Sequence, residues 1–107
     1  MLPGGMDMGR LMKQMQSMQK QMAKAQEELK ERVVEAAAGG GAVTVHVNGA
    51  QEVLAITIKP EAVDPSDVSM LQDLVTAAVN EGLKKSKAMA EAEMNKYTGG
   101  MKIPGLT

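Results

Sequence analysis

Cysteine, phenylalanine and tryptophan are absent from this 107-residue chain, and tyrosine and histidine occur once each. Without cysteine there can be no disulfide, no thiolate nucleophile and no cysteine-held zinc, a pattern that fits a cytoplasmic protein. Without large aromatics, a core has to be assembled from Val, Leu, Ile, Ala and Met, and in so short a chain that core is thin. An oligomer is therefore expected. No stretch approaches the ~18 apolar residues of a membrane span, so no membrane partner is expected. The opening residues 1–5 lack a basic region followed by an apolar run, so no signal peptide is expected either.

The single histidine, His46, lies in an alternating run with no second imidazole or thiol to share a metal. It reads as a surface or half-buried strand residue. Gly39, Gly40 and Gly41 lack the Lys-Ser/Thr that follows a phosphate-cradling loop. Nothing assembles a nucleophile, a base and an orienting partner. No enzyme activity, cofactor, metal or small-molecule substrate is expected.

What is present in quantity is methionine, eleven in all. Met8, Leu11, Met15, Met18, Met22, Ala25 and Leu29 alternate spacings of three and four, the a and d positions of a seven-residue repeat on a helix. Positions e and g carry Met12, Gln14, Gln19, Gln21, Gln26 and Glu28, mostly uncharged, so pairing along this stripe depends on apolar contact. Met8, Leu11, Met15, Met18, Met22 and Leu29 are the candidate dimer interface. An intramolecular core is one alternative, and two other occupants remain open. Thioethers such as those of Met15 and Met18 are ligands for a soft ion like Cu(I), though no cysteine or histidine supports them. A methionine surface also suits a protein-interaction adaptor that docks partner helices, the alternative to a self-assembly seam.

The net charge of −1 hides a segmented chain. Residues 8–25 hold Arg10, Lys13, Lys20 and Lys24 and no acid, all at c and f positions, facing away from the methionines. Residues 50–81 hold six acids against Lys59 alone. Lys84, Lys85 and Lys87 form a second basic cluster, suited either to phosphate or to the negative end of a helix dipole. A solvated helix face usually mixes signs. Ser17, Gln14, Gln16, Gln19 and Gln21 could add neutral hydrogen bonds to phosphate or base edges.

The apolar period predicts a helix over residues 8–32. It then changes to two, with 33–38 a weak strand closed by three glycines. Val43, Val45 and Val47 follow, then Asn48-Gly49 and a further run to Ile58. Asn-Gly between alternating runs predicts a two-residue hairpin turn, with both residues at positive φ. That turn would set Val47 opposite Ala50 and Val43 opposite Leu54. Val43, Val45, Val47, Leu54, Ile56 and Ile58 then share the core face, and Thr44, His46, Gln51, Val53, Ala55 and Thr57 the other. Pro60 ends the strand. Asp64-Pro65 reads as N-cap and first position of a second helix running to about Lys96. Its front half, from Val68 to Leu83, would cover the sheet. Its rear half, with Met89, Met94 and Tyr97, would project or meet the first helix. The expected architecture is α+β: helix, two or three antiparallel strands, helix, over residues 8–98. Residues 1–7 would be a flexible leader and 99–107 a Gly/Pro tail.

Several strings occur in an order and spacing that resemble the YbaB/EbfC family of bacterial nucleoid-associated proteins. They are Leu11-Met12-Lys13-Gln14, Met22-Ala23-Lys24-Ala25-Gln26-Glu27-Glu28-Leu29, Asn48-Gly49, Ile58-Lys59-Pro60, Leu71-Gln72-Asp73-Leu74-Val75-Thr76-Ala77-Ala78-Val79-Asn80 and Thr98-Gly99-Gly100-Met101. The resemblance covers about residues 8–106. It implies a homodimer with projecting helices, binding to double-stranded DNA and a place on the nucleoid in the bacterial cytoplasm. It brings no short DNA-contact motif. The candidate DNA-binding residues therefore come from charge and geometry: Arg10, Lys13, Lys20, Lys24, Lys84, Lys85 and Lys87.

Overall fold

A computed structural model describes residues 7–98. The expected tail at 99–107 and all of the leader except Asp7 lie outside the described residues. The order is α1 (Met8–Glu31), β1 (Val33–Ala38), β2 (Val43–Asn48), β3 (Val53–Ile58), a 3₁₀ turn (Pro60–Ala62) and α2 (Val68–Thr98). This is the expected α+β arrangement, with all three strands formed.

Helix α1 contains neither proline nor a β-branched residue, so nothing in its interior opposes helix. Its cap is Asp7, whose Oδ1 accepts from the Gly9 amide at 2.9 Å. It stops where Arg32 turns extended and the valines of β1 begin. The second helix starts later than the sequence predicts. Asp64 closes a local turn by accepting from the Ser66 amide and hydroxyl at 2.9 and 2.7 Å. The cap of α2 is instead Asp67, which accepts from the Met70 amide at 3.2 Å.

The strands form one antiparallel sheet in the order β1-β2-β3. Val43 faces Ile58 and Val45 faces Ile56, four residues further along β3 than a two-residue turn would give. Because four is even, the register changes but the faces do not, and the expected core face survives. The cause is Asn48. Its Oδ1 accepts from the Ala50 and Glu52 amides, both at 3.0 Å, and its Nδ2 donates to Glu52 Oε1 at 2.9 Å. That makes a longer loop, with a bulge between His46 and Val47, and the positive φ falls on Gln51 rather than Gly49.

Gly49 has another task. Its amide donates to Leu29 O at 2.8 Å and Arg32 O at 3.0 Å, and an added Cβ would lie 2.6 Å from Leu29 O. The hairpin loop therefore holds the C-terminal end of α1. Ser86, fully buried on α2, donates to Asn48 O at 2.6 Å and ties the second helix to the same loop.

Two core clusters result. In the larger, Leu71, Leu74, Val75, Ala78, Val79 and Leu83 of α2 pack on Val34, Ala36, Val43, Val45 and Val47. The smaller joins Ala25 and Leu29 of α1 to Met94 of α2, with Met22 and Ala90 at its margin. The rear of α2 thus meets the first helix. The radius of gyration is 20.5 Å, against about 13 Å for a compact domain of this length, and the extents are 74 × 21 × 16 Å. The excess length reflects how little of α1 is packed.

Candidate nucleic-acid interface

Beyond Met22 toward its N-terminus, α1 is an arm with no buried residue. Arg10, Lys13, Lys20 and Lys24 are all exposed on it. At 100° per residue they fall on the side opposite the methionine stripe. Among the described residues, none of the four forms a salt bridge or a side-chain hydrogen bond. The cations that do pair lie toward the base of the arm or on α2. Lys30 meets Glu27 at 3.4 Å, and Arg32 meets Glu93 at 2.8 Å. Lys96 reaches the same Glu93 oxygen at 3.1 Å, and its hydrogen bond is the main cause holding the Glu93 carboxyl below its usual range. Burial opposes that shift, while the charges of Lys96 and Arg32 add to it. The Arg32–Glu93 contact joins the base of α1 to α2, so it helps set the direction in which the arm points.

The second basic cluster is different. Lys84, Lys85 and Lys87 are exposed but lie well short of the end of α2 at Thr98, too far to serve its dipole. Lys85 Nζ donates to the backbone oxygen of Glu35 at 3.0 Å, which places it at the free edge of β1. That charge blunts an edge strand. The structure gives the α1 and α2 clusters separate settings, one on the arm and one beside the sheet.

The methionines expected at a dimer seam divide in the same way. Of the expected seam, Met8, Met15 and Met18 are 63, 57 and 55 % exposed, as is the flanking Met12 at 56 %, while Leu11 and Met22 are half-buried. Leu29 is buried in the protomer's own second cluster.

The sequence reading did not single out a second apolar surface. Helix α2 lies across β1 and β2, and every residue of β3 is exposed. Leu54, Ile56 and Ile58 continue the core face but have no helix over them. Alternating on one face of the strand, these three form an exposed apolar shelf. The signal was available: a third strand as apolar as the second, and one helix too narrow to roof three strands.

Comparisons with known proteins agree with this architecture. The sequence pattern of the YbaB/EbfC DNA-binding family matches residues 4–101. A nucleoid-associated protein of Alkaliphilus metalliredigens is 58 % identical over 103 residues, covering 96 % of this chain and 90 % of that one. Another, from Pelotomaculum thermopropionicum, is 57 % identical over 102 residues, covering 95 % and 97 %. Among solved structures, the uncharacterized protein HP0035 from Helicobacter pylori superposes with a TM-score of 0.78 at 24 % identity. The match covers 88 % of this chain and 99 % of that one, and it shows a shared fold.

Proposed function

The chain belongs to the YbaB/EbfC DNA-binding family, and from that premise we propose a homodimer that binds duplex DNA mainly through its phosphates and helps organise the bacterial nucleoid. The observation that carries this reading is the arm of α1. It holds four exposed cations, no acid between Met8 and Gln26, and, among the described residues, no ion-pair or side-chain hydrogen-bond partner for any of the four. A row of unpaired cations exchanges counterions for phosphates, so affinity falls with salt. With no Phe or Trp to stack on bases, duplex is favoured over single strands.

Dimerisation is supported by the shelf. Leu54, Ile56 and Ile58 lie 54, 45 and 36 % exposed on one face of β3. A second copy of the same shelf is self-complementary around a twofold axis. Two copies would then present two arms at a fixed separation. Lys84 and Lys87 are secondary phosphate contacts, and Lys85 is partly engaged by β1.

The test is Lys13/Lys20/Lys24→Glu. The account expects a folded dimer by circular dichroism and light scattering that no longer retards a duplex in a gel. A folded triple variant that retards DNA as well as the parent would mean that another face binds.

A further inference from the structure

If the shelf builds the dimer, the methionine stripe on the arm is left over, and its pattern describes its own partner. Counting the flanking Met12 and leaving out half-buried Leu11, the arm's methionines Met8, Met12, Met15, Met18 and Met22 are spaced by four, three, three and four, so their order reads the same from either end. An antiparallel second copy therefore meets the pattern it presents. The charges permit it: Arg10, Lys13, Lys20 and Lys24 point away from the stripe, and the flanking Gln14, Gln19 and Gln21 carry none. The shape permits it as well. The overlap from Met8 to Met22 spans about 21 Å at about 1.5 Å per residue. The protomer's packed body begins at Met22, on the margin of the second cluster, so the overlap stops where the body starts. In an antiparallel pair the two bodies thus lie at opposite ends and do not collide.

We propose that this stripe is a second homotypic interface, through which arms of two different dimers zip antiparallel near Met15 and Met18. Four methionines more than half exposed on each copy give an interface on the order of 1,000 Å² in total, at the low end for specific association. The contact is therefore weak in free solution and takes hold when dimers are concentrated side by side. Two unlike twofold interfaces on one chain produce strings or closed tetramers rather than isolated dimers. The cation face is on the opposite side of the same helix, so a zipped arm keeps its lysines free. Its consequence, that zipped dimers bridge two duplexes, rests on the DNA-binding reading; the zipping itself does not.

The experiment uses the full chain and Met12/Met15/Met18→Gln, exposed positions whose replacement keeps good helix formers. Sedimentation without DNA should show the parent moving from dimer to tetramer or larger as concentration rises, and the variant remaining dimeric throughout. A variant that falls to monomer would make the stripe the primary dimer interface, and a variant that still enlarges would remove the stripe from assembly. Either result overturns the proposal. With DNA, bead-bound duplex loaded with the parent should capture a second, labelled duplex, and the variant should lose at least tenfold of that capture while retarding a single duplex as before. Equal capture, or loss of single-duplex binding, contradicts it. If the parent retards no duplex at all, the DNA reading fails and the sedimentation result still decides this one. For orientation, Met8→Cys protein should cross-link to Met22→Cys protein through a short bismaleimide, with neither cross-linking to itself. Self-linking at both positions would mean a parallel pair and would overturn the antiparallel assignment.

Discussion

The two helices carry comparable apolar stripes and meet opposite fates. The stripe of α2 finds a sheet: Ala78 is fully buried, and Leu71, Leu74, Val75, Val79 and Leu83 pack around it. The stripe of α1 finds a partner only at its base, where Ala25 and Leu29 sit against Met94. From Met8 to Met18 no residue of it is buried among the described residues. Periodicity thus identifies the face that wants burial without saying which molecule supplies the cover. The residue types differ accordingly. Branched Val and Leu fill the fixed geometry of α2, whereas unbranched, adaptable methionine lines the arm.

The sharpest way to break this contrast is at the joint where the arm is fixed. In Gly49→Ala the added methyl would meet Leu29 O, a backbone atom unable to step aside without moving α1. A loss of about 3 kcal/mol is expected in denaturant unfolding, with faster amide exchange at the end of α1. A loss below about 1 kcal/mol would mean the loop does not hold the helix. Next comes the covered stripe's own floor: Val45→Ala, at a fully buried site, should cost about 2 kcal/mol.

A smaller effect is expected at the Arg32–Glu93 contact. Glu93 is held below its usual range, so its contribution is present above that range and fades as pH falls through and below it. Glu93→Gln should therefore melt slightly below the parent at pH 7, and the gap should close in acid. A gap that widens in acid would reverse the sign of this assignment. Least of all, Met15→Ala should change protomer stability by no more than about 0.5 kcal/mol, because little is buried there. A cost like that of Val45→Ala, measured below the concentration at which copies associate, would mean the arm is packed after all.

Much of this was legible in the sequence, for reasons that can be stated. The change of period at Val33, the three glycines at 39–41 and the alternating valines of β2 locate the strands, because burial on one face imposes those patterns. The same burial fixes which residues share a face, whatever the register. The register itself was not legible, because it depends on one side chain, Asn48, organising a loop that dipeptide preference alone does not reveal. The cap of α2 is ambiguous in the sequence because Asp64 and Asp67 both suit a cap, and only the backbone path chooses between them. For the interface, charge pattern located the four arm cations. It could not separate them from Lys85, whose engagement with β1 requires two segments fifty residues apart to meet. The shelf on β3 was hidden by its likeness to a core.

The most direct measurement of the central claim is the salt dependence of duplex-DNA affinity. It should be taken for the parent and for a variant with Arg10, Lys13, Lys20 and Lys24 all changed to Gln. The account predicts a log–log slope for the parent of about −0.9 per phosphate contacted, and a clearly flatter slope with weaker binding for the variant. Equal slopes for two folded, dimeric proteins would contradict it.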